Sequence, residues 1–321
     1  MPGFVTHYIF GREAYRKLSS GSQKENLYRH RAAYGLGLQG PDVFFYYLPS
    51  YILHGHNIGA LAHAEGTNAF FSGLLRSCMR FTSDEDCHIA EAYLEGFLGH
   101  YILDTVCHPY IYAMTPYDRK ANDYFSHHAY LETDIDTEFL DTKLHRQPRN
   151  FRQADTIALS HRQKKVIATM LHDAYRYAYP QLKLHKITMY LGIFSMQLGL
   201  RILRDGSGQK KVLFRFLERL FPGYPIFSPL IASDTLFFRT DPLNLRHADW
   251  TNPWDSSLHS SESFPELYDK SMQLYLDRLK KLYDVLHADR TSGTCEQLAQ
   301  EFLSGYGNRS FHSGLDCSIP T

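Results

Sequence analysis

The chain has 321 residues, which is enough to bury a large hydrophobic core, and its 34 lysines and arginines equal its 34 aspartates and glutamates in number. A formal charge of zero excludes a protein that an overall positive field draws to nucleic acid or to an anionic membrane. A local basic groove remains compatible with this balance.

The sequence does not show the features of a targeting signal or a transmembrane segment. The first residues, Met-Pro-Gly-Phe-Val-Thr-His, do not have the basic start and apolar run of a secretory signal. Five cysteines without framework spacing suit the reduced thiols of a cytosol. The most apolar segment, 190–203, contains Arg201 and is shorter than the roughly 20 residues that span a bilayer. We therefore expect a soluble, cytoplasmic protein without a transmembrane segment.

Helical periodicity dominates the chain and predicts an all-α, multi-helix fold in one domain, 1–321. The predicted helices are 7–17, 24–36, 58–77, 86–113, 117–145, 152–178, 183–204, 208–220, 264–288 and 293–304. The segment 221–265 is rich in proline, serine and aromatic residues, and we interpret it as a lid or an ordered loop. The candidate ligands fall within 1–136, the helical remainder covers 150–305, and the tail 306–321 is expected to be flexible.

The most informative pattern is a row of ionisable residues inside an apolar helix. His100, Asp104 and His108 follow one another at intervals of four, so their side chains lie along the stripe that would face the core. No lysine or arginine lies between Arg80 and Arg119 to neutralise Asp104 locally. Burying a carboxylate without a partner costs roughly several kcal/mol of folding free energy, and a divalent cation would compensate the negative charge. The alternative is a set of hydrogen-bonded polar groups in the core.

The next helix repeats this pattern with His128 and Glu132, which are also four residues apart. Taken alone, such a pair is usually a surface contact; together with the preceding stripe it favours a metal site. Other candidates are individually weaker. Asp42 fits a helix N-cap or a turn, His63 fits a hydrogen-bonded core histidine, and His7 lies near the terminus.

In order, these residues resemble the zinc-dependent phospholipase C family, whose wider superfamily includes single-strand-specific nucleases. The resemblance covers 2–136. It is carried by Thr6-His7-Tyr8, Gly40-Pro-Asp-Val-Phe-Phe, His63, Gly99-His-Tyr-Ile-Leu-Asp with His108-Pro, and His128 with Glu132. The resemblance implies an all-helical fold that holds two to three zinc ions.

The resemblance also implies which residues bind each ion. Asp42, His63, His100 and Asp104 would hold a first zinc, and His108, His128 and Glu132 would hold a second. Asp104 would bridge to a third zinc, which His7 and the terminal residue would complete. Secreted members have an N-terminal tryptophan after cleavage, whereas this chain encodes Met1 before Pro2, so the Pro2 amine would be the ligand if Met1 is removed.

The implied activity is hydrolysis of a phosphodiester, in which a hydroxide between two zinc ions attacks phosphorus and Asp42 orients it as the catalytic residue. The substrate would be a phosphodiester such as a phospholipid. A single-strand nuclease or nucleotide phosphodiesterase is the alternative, and the neutral charge does not favour nucleic acid. A third interpretation is a non-enzymatic helical protein stabilised by one structural metal. The sequence leaves the oligomeric state open.

Overall fold

The computed structural model describes residues 3–115, 123–221, 223–233, 241–289 and 293–318. Its α-helices are α1 Phe4–Lys17, α2 Ser22–Arg29, α3 Arg31–Gly37, α4 Pro49–His54, α5 Ile58–Ala64, α6 Thr67–Cys78, α7 Asp84–Ala113, α8 Tyr124–Leu144, α9 Gln153–Thr156, α10 His161–Ala178, α11 Lys186–Leu203, α12 Lys210–Glu218, α13 Phe264–Leu286 and α14 Gly293–Tyr306. Short 3-10 helices cover Gly40–Tyr46, Pro148–Asn150, Pro180–Leu182 and Ser228–Leu230. The all-α prediction is confirmed.

Several predicted helices are divided in the structure, and several short helical segments were not predicted. The predicted helix 58–77 is interrupted at Gly66, which has a φ of 58°. The 3-10 helix Gly40–Tyr46 and helix α4 were not predicted, because neither is long enough to show an apolar period. The predicted helix 117–145 begins partly outside the described residues. Helix boundaries elsewhere agree within a few residues.

Helix α7 is the centre of the molecule. It has 30 residues and packs against α3, α13 and α10, so it is buried over most of its circumference. Glycines make the contact with α3 close. A Cβ atom on Gly37 would lie 2.1 Å from the carbonyl oxygen of Tyr93, and one on Gly96 would lie 2.3 Å from that of Tyr34. The helix that carries three candidate ligands is therefore held firmly by its neighbours.

The described residues of the segment 221–265 contain little regular structure. Within its described part, the 3-10 helix Ser228–Leu230 packs against α8, and strand β1 (Trp250–Thr251) pairs antiparallel with β2 (His259–Ser260). Asn252 donates a hydrogen bond from Nδ2 to the carbonyl of Ser313 at 2.9 Å. Residues 234–240 lie outside the described residues. The interpretation of this segment as a lid stays a prediction.

The C-terminal segment differs from the expected flexible tail. Phe311 is 1% exposed, and its backbone N–H donates to the carbonyl of His63 at 2.8 Å. The tail is held because it carries an aromatic side chain that the core accepts. One cluster of buried apolar residues runs from Val5 to Phe311, which supports the proposal of a single domain. Residues 319–321 lie outside the described residues.

Apolar side chains are exposed along the outer side of α11 and on α12. Ile187, Leu191, Phe194, Leu198 and Ile202 recur every three or four residues, so they form one stripe on α11. Further exposed apolar residues follow on and after α12 and on and before α4: Val212, Leu213, Phe216, Leu217, Leu220, Phe221, and Leu48, Tyr51, Ile52, Leu53. Across the described parts of the chain, every helix is too short or too polar to span a bilayer.

Candidate metal centre

The predicted stripe on α7 is buried and lies at the centre of a cluster of ionisable side chains. His100, Asp104 and His108 each have 0% of their surface exposed. Oδ2 of Asp104 lies 3.1 Å from Nε2 of His100 and 3.8 Å from Nδ1 of His108. The three side chains therefore point inward together, as the helical spacing predicts.

A first group of ligand atoms forms where the 3-10 helix Gly40–Tyr46 and helix α5 meet α7. Oδ1 of Asp42 lies 2.9 Å from Nε2 of His63 and 3.9 Å from Nε2 of His100. Oδ2 of Asp104 completes the group at 4.0 Å from Nε2 of His63. Atoms from three separate segments thus surround one point, which could hold a metal ion.

Asn57 joins the two segments that carry Asp42 and His63. Its side-chain oxygen accepts from the N–H of Gly59 and caps α5, and its Nδ2 donates to the carbonyl of Phe44 at 2.8 Å. Because Asn57 is 2% exposed, these bonds are shielded from water. The local sequence at the start of α5 therefore sets the distance between the Asp42 and His63 side chains.

His7 reaches the same cluster from α1. Its Nε2 lies 3.0 Å from Oδ1 of Asp104, the oxygen that faces away from the first group. The position of α1 is set by Asp136 on α8, which accepts hydrogen bonds from the backbone N–H groups of Val5 and Thr6 and from the Thr6 hydroxyl. A carboxylate at a helix N-terminus suits the helix dipole. Asp104 therefore directs Oδ1 toward His7 and Oδ2 toward His63 and His100.

The remaining group lies between α7 and α8. Nε2 of His128 lies 2.7 Å from Oε1 of Glu132, and Nε2 of His108 lies 3.8 Å from the same oxygen. His128 and Glu132 sit one turn apart on α8, as their spacing predicts. All eight predicted residues, which are His7, Asp42, His63, His100, Asp104, His108, His128 and Glu132, thus converge.

Backbone carbonyls orient three of the imidazoles. Nδ1 of His63 donates to Gly59 O at 2.7 Å, Nδ1 of His100 to Leu38 O at 3.2 Å, and Nδ1 of His108 to Phe311 O at 2.6 Å. A proton on Nδ1 leaves the Nε2 lone pair directed into the cluster, which is the arrangement that metal-binding histidines use.

The donor atoms and their spacing fit zinc. Nε2 of His63, His100 and His108 and both carboxylate oxygens of Asp104 are buried and have no hydrogen-bond partner among the described residues. Native proteins seldom leave such atoms unsatisfied, and a cation satisfies them. Ligand atoms about 2.0–2.1 Å from a tetrahedral zinc lie about 3.3 Å apart. The separations in the cluster lie on both sides of that value, from 2.7 to 4.0 Å.

Burial and neighbouring charges both shift the pKa values of these groups. Burial lowers the pKa of His108 to about 4, and burial followed by repulsion from His100 lowers the pKa of His7. Burial tends to raise the pKa of Asp104, but the imidazoles of His100, His108 and His7 hold it well below its usual range. The site therefore favours neutral imidazoles at these two positions and an ionised carboxylate, the states that bind metals.

Sequence reasoning missed the contribution of the C-terminal segment. The ring of His312 stacks on that of His63 with centroids 5.4 Å apart, and its Nδ1 lies 2.9 Å from the hydroxyl of Tyr112. Burial, followed by repulsion from His63, lowers the pKa of His312 well below its usual value. No periodic pattern surrounds His312, so the sequence carries no signal for it. The predicted Pro2 amine ligand lies outside the described residues, as does Met1.

Comparison with known proteins agrees with the geometry. No curated protein and no solved structure matches the chain. A family model described as zinc-dependent phospholipase C matches residues 6–186, which is more than half of the chain. All eight converging residues fall within the matched range. This chain therefore belongs to the zinc-dependent phospholipase C family.

Proposed function

We propose that the chain is a zinc-dependent phosphoric diester hydrolase whose substrate is a phospholipid. The observation that carries this proposal is the convergence of five imidazoles and three carboxylates in a buried cluster. A single structural zinc is almost always held by four protein ligands, so the number of donors exceeds what one ion requires. Membership of the family supports this reaction class.

The proposed ligand sets follow the three groups of atoms. Asp42, His63, His100 and Asp104 hold one ion, and the short distances between their donor atoms support this set. His108, His128 and Glu132 hold another. His7 shares Asp104 with the first group through the second carboxylate oxygen. The position of this histidine supports a third ion, and the Pro2 amine remains a proposed ligand.

Bound zinc supplies Lewis acidity and lowers the pKa of coordinated water. The protein groups around it position the reactants. Asp42 is 2% exposed and is attached to a segment fixed by Asn57, so we assign to it the orientation of the attacking water and acceptance of its proton. His312 and Tyr112 form a hydrogen-bonded wall beside His63 and His108 that shields this side of the cluster.

The exposed apolar surface favours a phospholipid over a nucleic acid. Helix α11, which carries the apolar stripe, packs against the 3-10 helix that contains Asp42, and the 3-10 helix after α12 packs against α8. Residues 183–219 contain eight lysines and arginines and only two acidic residues, although the whole chain is neutral. Apolar side chains among basic ones match a bilayer that contains anionic lipid. We propose that this surface docks on such a bilayer.

A structural role for one metal is the competing interpretation. It predicts four protein ligands and no position for water or substrate. A nuclease is the other alternative, and the neutral charge of the whole chain does not favour it. The cytoplasmic location stays a prediction.

The decisive experiment measures metal content together with hydrolysis of a soluble chromogenic phosphodiester, phosphatidylcholine vesicles and single-stranded DNA. We expect zinc in the purified protein, cleavage of the soluble diester and of the vesicles, and loss of both activities in His100→Ala. His287→Ala, which replaces an exposed histidine outside both the cluster and the segment 183–219, serves as the matched control. Full activity in a chelated, metal-free sample would refute the hydrolase assignment, and cleavage of DNA alone would refute the lipid substrate.

A further inference from the structure

A cavity lies apart from the metal cluster, between α1, the α2–α3 pair and the segment 146–163. Its volume is about 820 Å³. None of the eight candidate metal ligands lines it. Helix α1 separates the two sites, since His7 turns toward Asp104 whereas its neighbour Tyr8 faces this cavity. A ligand in this cavity would therefore be held by a different set of residues.

The lining of the cavity is strongly basic. Six arginines, from three separate parts of the chain, border it together with a single acidic residue, Asp155. We call this site the arginine cleft, and its arginines are Arg12, Arg16, Arg29, Arg31, Arg146 and Arg152. Because the chain as a whole has no net charge, this concentration is local.

The positive charges of the arginine cleft are poorly compensated by the protein. Among the described residues, Arg29 forms the only ion pair of the six, an exposed contact of 3.6 Å with Glu25. Arg12, Arg16, Arg146 and Arg152 have no carboxylate within ion-pair distance in the described part of the chain. Like charges that converge in a concave surface repel one another and focus a positive potential into it. An anion with several charges would relieve this repulsion.

Guanidinium groups select phosphate among anions, since their planar fork donates two parallel hydrogen bonds to phosphate oxygens. Arg12 and Arg16 lie one turn apart on α1, so their side chains extend from the same face. Arg146 and Arg152 line the same cavity from a separate segment of the chain. Arginines that several segments contribute suit a ligand with phosphates at more than one position rather than a single phosphate.

Aromatic rings add a second kind of contact. Tyr8 and Phe151 line the cleft with ring centroids 5.4 Å apart, and the guanidinium of Arg31 lies 5.7 Å from the ring centroid of Tyr28. Asn150 and Gln163 place side-chain amides in the same lining. These groups could stack on and hydrogen-bond to a planar ring. We propose that the arginine cleft binds a small molecule that carries two or more phosphate groups, either an inorganic polyphosphate or a nucleoside polyphosphate.

Calorimetric titration of the zinc-loaded protein with tripolyphosphate, ATP and AMP at physiological salt tests this proposal. We expect tripolyphosphate and ATP to bind and AMP to bind more weakly. Loss of two charge-assisted contacts in the double variant Arg16→Ala, Arg152→Ala should weaken binding at least about tenfold. Tighter binding of ATP than of tripolyphosphate would identify a nucleoside as the source of the phosphates, and equal binding would identify the polyphosphate chain alone.

Two controls separate the cleft from the metal cluster and from charge alone. The double variant Lys165→Ala, Arg176→Ala removes two exposed positive charges elsewhere and should leave binding unchanged. Asp104→Asn, which disturbs the metal cluster, should also leave it unchanged. Absence of binding to the unaltered protein would overturn the proposal. So would binding that is lost in Asp104→Asn but kept in the cleft variant, because the anion would then occupy the metal site.

Discussion

Replacement of Asp104 by asparagine tests the metal assignment most directly. The two carboxylate oxygens of Asp104 contact different histidines. Oδ1 lies 3.0 Å from Nε2 of His7, and Oδ2 lies 3.1 Å from Nε2 of His100. Asparagine keeps one acceptor oxygen, so its amide nitrogen must face one of the two imidazole lone pairs. At least one of the proposed ions would therefore lose an anionic ligand.

The size of the effect follows from this geometry. Removal of a group that merely supports a ligand costs about 10–100-fold in metal affinity, and a direct ligand should cost at least as much. Stabilisation by free zinc at about 1,000 times its Kd is about 4 kcal/mol, and a 100-fold loss of affinity reduces it to about 1.4 kcal/mol. We expect this difference to lower the zinc-dependent increase in Tm by about 4 °C in a chain of this size.

The assay combines elemental analysis with thermal unfolding in the presence and absence of zinc. Glu95→Gln is the matched control, because Glu95 is an acidic residue on the same helix that is 2% exposed but accepts a hydrogen bond from Gln23 and does not contact the cluster. The control should keep its metal content and its response to zinc. If Asp104→Asn kept both the metal content and the full zinc-dependent shift of the unaltered protein, the assignment of a bridging carboxylate would be wrong.

Three other changes have expected outcomes. Gly40 has a φ of 48°, and a Cβ atom there would lie 2.1 Å from Cδ2 of His100, so Gly40→Ala should lose zinc as measured by elemental analysis. Gly55→Ala, at a φ of 73° with open space, should suffer only the backbone strain of about 1–2 kcal/mol. Burial raises the pKa of Glu95 from 4.5 to about 8, so the stability it contributes is full below pH 4.5 and is lost as the pH rises toward 8. In the unaltered protein the free energy of unfolding should therefore fall by up to about 1.4 kcal/mol per pH unit over this window, and Glu95→Gln should remove this fall. Urea unfolding at several pH values measures it, and an identical fall in both proteins would contradict this. Phe216→Glu should reduce sedimentation with anionic vesicles while soluble diester cleavage continues, and unchanged sedimentation would count against the docking surface.

The sequence predicted the relative positions of those candidate ligands that lie on the same helix. The interval of four between His100, Asp104 and His108 places them on one face of any α-helix, whatever packs around it. His128 and Glu132 follow the same rule on α8. The all-α class was predictable for the same reason, since amphipathic periodicity is a local property of the chain.

Other candidates came from the family resemblance rather than from pattern. Asp42 has the local sequence of a turn, and His63 has that of an ordinary core histidine. Nε2 of His63 lies 2.9 Å from Oδ1 of Asp42. Asn57 contributes to this contact because its side chain donates a hydrogen bond to the carbonyl of Phe44 and so links α5 to the 3-10 helix Gly40–Tyr46. No periodic signal encodes such a contact.

The tertiary structure alone decided which groups from distant segments meet. It placed His312 on His63, packed Phe311 under the cluster, gave each oxygen of Asp104 a different neighbour, and gathered six arginines into one cleft. The sequence fixes the direction of a side chain relative to its own helix axis, because that depends on backbone geometry over a few residues. The distance between two helices depends on how their buried side chains interdigitate, and residues far apart in the chain contribute to that packing together.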